Sequence, residues 1–165
     1  MSRKITIPKN SQTEFKIENY LEGHVDLIED GLRLIRRQYK LYYKSRSSLG
    51  DVDLFCQGED GAQVIVELKS GELQPTVFGQ VMAYYAICKL RSDLYGLPEP
   101  RVYCIGASVS PQYVLCLALL DNGKTINLST KTYKILPGTL MSAKVFPVEL
   151  FNYNIEDAGT YTLRL

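Results

Sequence analysis

Two short runs constrain this chain more than anything else in it. Asp51–Cys56 and Gln63–Lys69 are apolar enough to be strands, and Gly58-Glu59-Asp60-Gly61 between them is a turn signal. A hairpin fixes which side chains share a face, because successive residues of a strand point to opposite sides. In the later run Val64, Val66 and Leu68 point one way, and Ile65, Glu67 and Lys69 the other. In the earlier run Val52 and Leu54 share a face, and Asp53 and Phe55 take the opposite one. Pairing through the turn brings Asp53 and Glu67 together near one end of the sheet, with Lys69 alongside.

Two carboxylates held close repel unless a cation lies between them. Carboxylate oxygens plus water suit hard Mg²⁺ (or Mn²⁺), and the backbone carbonyl of Leu68 offers one more oxygen. A lysine ammonium beside such an ion is placed to orient an attacking water and to stabilise charge building on a phosphate. The set is coherent for in-line hydrolysis of a phosphodiester. Taken alone, Glu-x-Lys on a strand is usually a surface pair worth under about 1 kcal/mol. Asp53 adds the weight, because an unpaired acid in an apolar strand is costly to bury.

The flanking pattern predicts the rest of the fold. Ser11-Gln12-Thr13-Glu14 fits a capping box, so a helix follows, with Phe15, Ile17, Leu21 and Tyr20 on its apolar side and an end near Gly23. A helical turn over 25–29 stops at Asp30-Gly31. Leu32–Tyr43 alternates in part and reads as a long strand. Pro75 opens a helix to about Leu90, with Phe78, Val81, Met82, Tyr85 and Cys88 facing inward. A strand over Arg101–Ala107, a helix from Ser110-Pro111 to Leu120 and a strand over Thr125–Leu136 complete the core, and Pro137-Gly138 breaks the pattern. The order α, three strands, α, β, α, β predicts an α/β (α+β) three-layer sandwich, a mixed central sheet flanked by helices. The expected organisation is a leader over 1–12, a core domain over 13–136, and a 137–165 extension that packs on the core or forms a dimer contact.

Composition excludes several classes. An apolar fraction of 45% over 165 residues suits one globular domain. No apolar run approaches the roughly 18–20 residues that span a bilayer, and Met1–Pro8 is too short and broken for a secretory signal. The expectation is a soluble, intracellular (cytoplasmic) protein with no membrane partner. Cys56, Cys88, Cys104 and Cys116 form no C-x-x-C pair and read as reduced thiols among apolar neighbours. The single histidine, His24, lies in a polar connection and leaves no room for a Ser-His-Asp triad. No glycine-rich phosphate loop appears, so no nucleotide or organic cofactor is expected. Net charge is only +1, but its distribution is uneven. Six acids stand against Lys16 between Glu14 and Asp30, whereas Arg33, Arg36, Arg37, Lys40, Lys44 and Arg46 face no acid between Gly31 and Gly50. That stripe either tracks a nucleic-acid backbone or is a solvated charged edge.

The segments Gly50-Asp51-Val52-Asp53-Leu54-Phe55 and Val64-Ile65-Val66-Glu67-Leu68-Lys69, followed by Gln80 and Tyr84, closely resemble the PD-(D/E)XK nucleases. Within that superfamily, with its restriction-endonuclease-like fold, they look most like the catalytic domain of NucS-type endonucleases, which act on DNA. Leu27–Ile35 also resembles that family's stretch before the first core strand. The likeness covers about residues 13–90. It implies Asp53 and Glu67 as metal ligands and Lys69 as the catalytic lysine. Gln80 and Tyr84, one helical turn apart, would face the site and help hold water or phosphate. The family also uses a glutamate from the first helix. Spacing favours Glu14, with Glu18 one turn later as the alternative, although Glu14 is also placed to close the capping box. Val52 stands at the motif's proline, Ser70 follows the lysine where a basic residue is frequent, and Asp51 adds an acid. Fuller NucS-type proteins carry a separate DNA-binding domain before the nuclease domain, so substrate choice does not transfer directly.

The leading expectation is therefore a Mg²⁺- or Mn²⁺-dependent endonuclease acting on DNA. A homodimer would cut two strands, and Val145–Val148 with Leu150-Phe151 is a candidate dimer patch. The alternatives are a non-catalytic module that binds nucleic acid or protein on the same fold, and a nuclease subunit of a larger restriction, repair or mobile-element complex.

Overall fold

A computed structural model describes residues 9–43 and 47–155. Its elements in chain order are helix α1 (Lys9–Leu21), a 3-10 turn (Val25–Leu27), strands β1 (Arg33–Tyr43), β2 (Ser47–Gln57), β3 (Gln63–Leu68) and β4 (Glu72–Leu73), helix α2 (Thr76–Tyr95), strands β5 (Arg101–Gly106) and β6 (Ser108–Val109), helix α3 (Pro111–Leu119), a 3-10 turn (Lys124–Ile126), and strands β7 (Leu128–Ile135) and β8 (Val148–Tyr153). Six strands form one mixed sheet in the order β1-β2-β3-β5-β7-β8, and β4 and β6 form a small parallel pair beside it. β1, β2 and β3 are joined antiparallel, β3, β5 and β7 run parallel, and β8 closes the far edge antiparallel to β7.

Each face of the sheet buries its own apolar set. On one, Ile65, Val102, Cys104 and Leu128 pack against Val77, Phe78, Val81, Tyr84, Tyr85 and Cys88 of α2 and Tyr113 and Leu117 of α3. On the other, Leu54, Cys56, Val64, Val66 and Leu68 pack against Ile17 and Leu21 of α1. At roughly 1.5–3 kcal/mol per fully buried side chain, an upper estimate, these two interfaces dominate the stabilisation of the sandwich. Every cysteine is free; three are buried and Cys116 is half-buried. Among the described residues no helix is long and apolar enough to cross a membrane.

Local expectations fail where tertiary packing overrides local signals. Ser11 is not a cap, because α1 begins at Lys9 and runs through it. Phe15 is 54% exposed and lies under the Arg37 guanidinium, while Ile17 and Leu21 carry the buried stripe. α2 continues past Leu90 to Tyr95 because Ser92 is buried and accepts a hydrogen bond from Gln63, and Gly96 closes the helix in a left-handed conformation. Met82 is exposed, and Tyr84 takes the inward place. A 3-10 turn occupies the start expected for the strand over 125–136. β8 lies in the stretch where no strand was expected. Of the apolar patch around it, Phe146 and Val148 are buried in the core, while Val145, Pro147, Leu150 and Phe151 retain exposure.

Candidate active site

The antiparallel ladder between β2 and β3 ends at Leu54 and Val66. Asp53 and Glu67 are the next pair along, just where the strands part. Here strict alternation also fails: Val52 packs with Phe55 and Ile65 on the α2 face, while Leu54 packs on the α1 face. Asp53 thus stands at an irregularity, turned into the gap between strands. Its Oδ2 accepts a hydrogen bond from the Leu68 N–H at 2.7 Å, taking the place of a ladder partner. Asp53 is 7% exposed, and its pKa is pushed up to about 8, first by burial and then by the Glu67 carboxylate.

Glu67 is 1% exposed. One of its oxygens, Oε1, accepts from Lys69 Nζ at 2.8 Å; the other, Oε2, is buried with no hydrogen-bond partner. Burial raises the Glu67 pKa against the pull of Lys69. Burial works against the Lys69 charge, but the Glu67 carboxylate outweighs it and the ammonium is held above its ordinary value. A chain of contacts continues from Lys69 Nζ to Gln80 Oε1 at 3.5 Å, from Gln80 Nε2 to Tyr84 Oη at 3.1 Å, and from the Tyr84 hydroxyl to the Asp51 carbonyl at 3.1 Å. Tyr84 is fully buried, so its hydroxyl anchors the start of β2 to α2, and Gln80 carries the contact to the lysine.

Both glutamates of α1 reach this place. Glu14 Oε2 accepts from the Ser70 N–H at 3.1 Å, next to Lys69, and burial raises its pKa. Glu18 is 3% exposed and paired with Arg37 Nε at 2.5 Å. Gln38, which no sequence motif marks, joins the two halves. Its Nε2 donates to both Glu18 oxygens at 2.9 and 3.0 Å and to Asp53 Oδ1 at 3.1 Å. The site therefore draws on all three layers: glutamates from α1, acids and lysine from the sheet, and Gln80 from α2.

The basic stripe divides. Arg37 turns toward α1, bonded to Glu18, Asn19 and Glu22, so it serves the acids and not solvent. Arg33, Arg36 and Lys40 are exposed, with Arg33 bonded to Gln57. Lys44 and Arg46 lie outside the described residues.

Among the described residues no group of three or more His, Cys, Asp or Glu side chains is gathered as a ready-made metal cage. The donors here are fewer and harder: two adjacent carboxylates, one with an orphaned buried oxygen. They fit an ion that takes one or two carboxylates and fills its remaining positions with water and phosphate.

The fold is that of nuclease structures. It matches a chain of an EndoMS–double-stranded DNA complex with a TM-score of 0.56 at 18% identity, covering 73% of this chain and 44% of that one. It also matches a repair endonuclease from Pyrococcus abyssi with a TM-score of 0.51 at 21% identity, covering 68% of this chain and 42% of that one. The family is narrower than the fold. Residues 13–94 match the Endonuclease NucS C-terminal domain, and the chain belongs to that family. It is 33% identical over 127 residues to Endonuclease NucS of Parafrankia sp., covering 76% of this chain and 51% of that protein. The chain spans about half of that relative's length and less than half of either matched structure.

Proposed function

We propose that this chain is the nuclease part of a PD-(D/E)XK-type, divalent-metal-dependent DNA endonuclease. The observation that supports it best is the buried pair Asp53 and Glu67 at the parting of β2 and β3, with Glu67 Oε2 left unpartnered. Asp53 and Glu67 would hold Mg²⁺ or Mn²⁺. The Leu68 carbonyl would join them, since an extended residue turns its N–H and C=O to the same side and the N–H of Leu68 faces Asp53. Such an ion supplies Lewis acidity toward the phosphate and acidity to bound water. Lys69, held by Glu67 and Gln80, orients the attacking water and offsets charge on the phosphoryl oxygens. Gln80 and Tyr84 fix the lysine. Of the two α1 glutamates, Glu14 meets the chain at Ser70, next to Lys69, and Glu18 is linked to Asp53 through Gln38. Arg33, Arg36 and Lys40 are the exposed members of the stripe that would meet the DNA backbone. DNA as the substrate class rests on the EndoMS–DNA complex and on relatives named as endonucleases.

The test offers the purified protein single-stranded, duplex, branched and mismatched DNA, and RNA, with Mg²⁺ or Mn²⁺, beside Asp53→Ala and Lys69→Ala. Cleavage by the parent that both substitutions remove supports the mechanism. Cleavage that survives both defeats it. Binding without cleavage under every condition would make the chain a non-catalytic module.

A further inference from the structure

Gln38 sits opposite Asp53 in the β1–β2 ladder, between the paired positions Arg37–Leu54 and Tyr39–Val52. Its backbone has φ +49°, a left-handed conformation inside a strand. For a residue with a side chain this costs on the order of 1 kcal/mol and persists only where the surroundings impose it. Gln38 is itself exposed, so no core packing imposes it. What is ordered is the amide. One N–H serves the two Glu18 oxygens and the other serves Asp53 Oδ1. Both partners are ionisable acids that, once charged, only accept, so the site needs a neutral double donor here, and glutamine supplies one at this reach.

We infer that Gln38 is a positioning residue for the metal centre: its amide holds the Asp53 carboxylate against the buried Glu18, presenting Asp53 to a divalent cation. The inference rests on the proposed metal site. Without the amide, Asp53 keeps its bond to Leu68 but loses the restraint on Oδ1, and the two acids face each other with no donor between them. Groups that orient a ligand from behind usually govern metal affinity by 10- to 100-fold.

Two substitutions separate the amide from the backbone. Gln38→Met keeps a side chain of similar length and the strained φ, but removes the donor. Gln38→Gly removes donor and strain together. Mn²⁺ binding to the full chain is measured by calorimetry or by the electron paramagnetic resonance of free Mn²⁺, with melting temperatures taken without metal. Both variants should bind Mn²⁺ about 10- to 100-fold more weakly than the parent, while Gln38→Gly melts no lower than Gln38→Met. Parental Mn²⁺ affinity in Gln38→Met overturns the inference, as does parental affinity in Gln38→Gly, which would assign the effect to the backbone. Asp53→Ala is the reference. If the parent binds Mn²⁺ no better than Asp53→Ala, the metal site falls and takes this role with it. If the parent binds tightly and the Gln38 variants match it, only the role of Gln38 falls.

Discussion

Two charged clusters lie at opposite ends of the same strands, and they are built on opposite terms. At the N-terminal end of β5, Arg101 forks between Glu29 at 2.6 and 3.0 Å and Asp60 at 2.7 and 3.1 Å, and the Tyr103 hydroxyl donates to Glu29 at 2.6 Å. Glu29 and Asp60 are each held by two hydrogen bonds from Arg101, whose planar guanidinium matches the geometry of both carboxylates. At the C-terminal end of β3, four acids (Glu14, Glu18, Asp53 and Glu67) share the reach of Lys69 and Arg37, and Glu67 keeps an unpartnered oxygen. In the first cluster both carboxylates that Arg101 reaches are satisfied by protein. The second is short of positive charge, as the proposed metal and phosphate site would be.

The contrast breaks most visibly under Glu67→Gln, with the largest effect on turnover. The substitution keeps an acceptor for Lys69 but removes the charge that would bind the ion, so cleavage of DNA under saturating Mg²⁺ should fall by about 10³-fold or more. Arg101→Ala should do the reverse. It strips two acids and a tyrosine of their donor or neighbour, lowering stability in urea by about 2 kcal/mol, while the activity of the folded fraction stays unchanged. An equal loss of activity in both variants would mean that the two clusters are not separate in function.

The β2–β3 hairpin is legible in the sequence along β3 and less so along β2. Alternation places Glu67 and Lys69, because period two survives in β3, and the register set by the turn at 58–61 brings Asp53 beside Glu67. It misplaces Val52, because the strands part at that point and nothing in the local composition marks a parting. Gln38 was invisible for a related reason: glutamine carries no preference for a left-handed backbone, and its partners Glu18 and Asp53 stand 20 and 15 residues away. Arg37 read as part of a basic stripe because its acids lie on α1, a separate element. β8 was hidden by Pro137-Gly138 and Pro147 around it; its register against β7 is a tertiary fact.

A smaller effect sharpens the same comparison through stability. In metal-free protein Glu67→Gln relieves repulsion with Asp53 and places an amide where an unpartnered oxygen lay, so the melting temperature should rise, by roughly 2–4 °C for about 1 kcal/mol. The pH profile carries the same sign. Asp53 moves from 3.8 to about 8, and Glu67 and Glu14 are also raised. At these three groups the folded protein thus binds protons that the unfolded chain releases, so their contribution to metal-free stability is fully present near pH 4 and is lost as pH climbs toward 8. Saturating Mn²⁺ should flatten that fall, and so should Asp53→Asn. A melting temperature that rises over this window without metal would contradict the under-partnered cluster. The smallest change is expected at the rim. Lys40→Ala should weaken DNA binding only a few-fold and reduce the salt dependence by about one phosphate contact.

Gly50 carries a consequence of its own. Its φ is +113°, and a Cβ placed there would lie 2.6 Å from the Tyr84 hydroxyl. Even one methyl group would push that hydroxyl off the Asp51 carbonyl, and the disturbance would run through Gln80 to the ammonium of Lys69. The bare backbone at Gly50 is thus a tolerance limit for the whole centre: the lysine can be mis-set from a position that carries no side chain of its own.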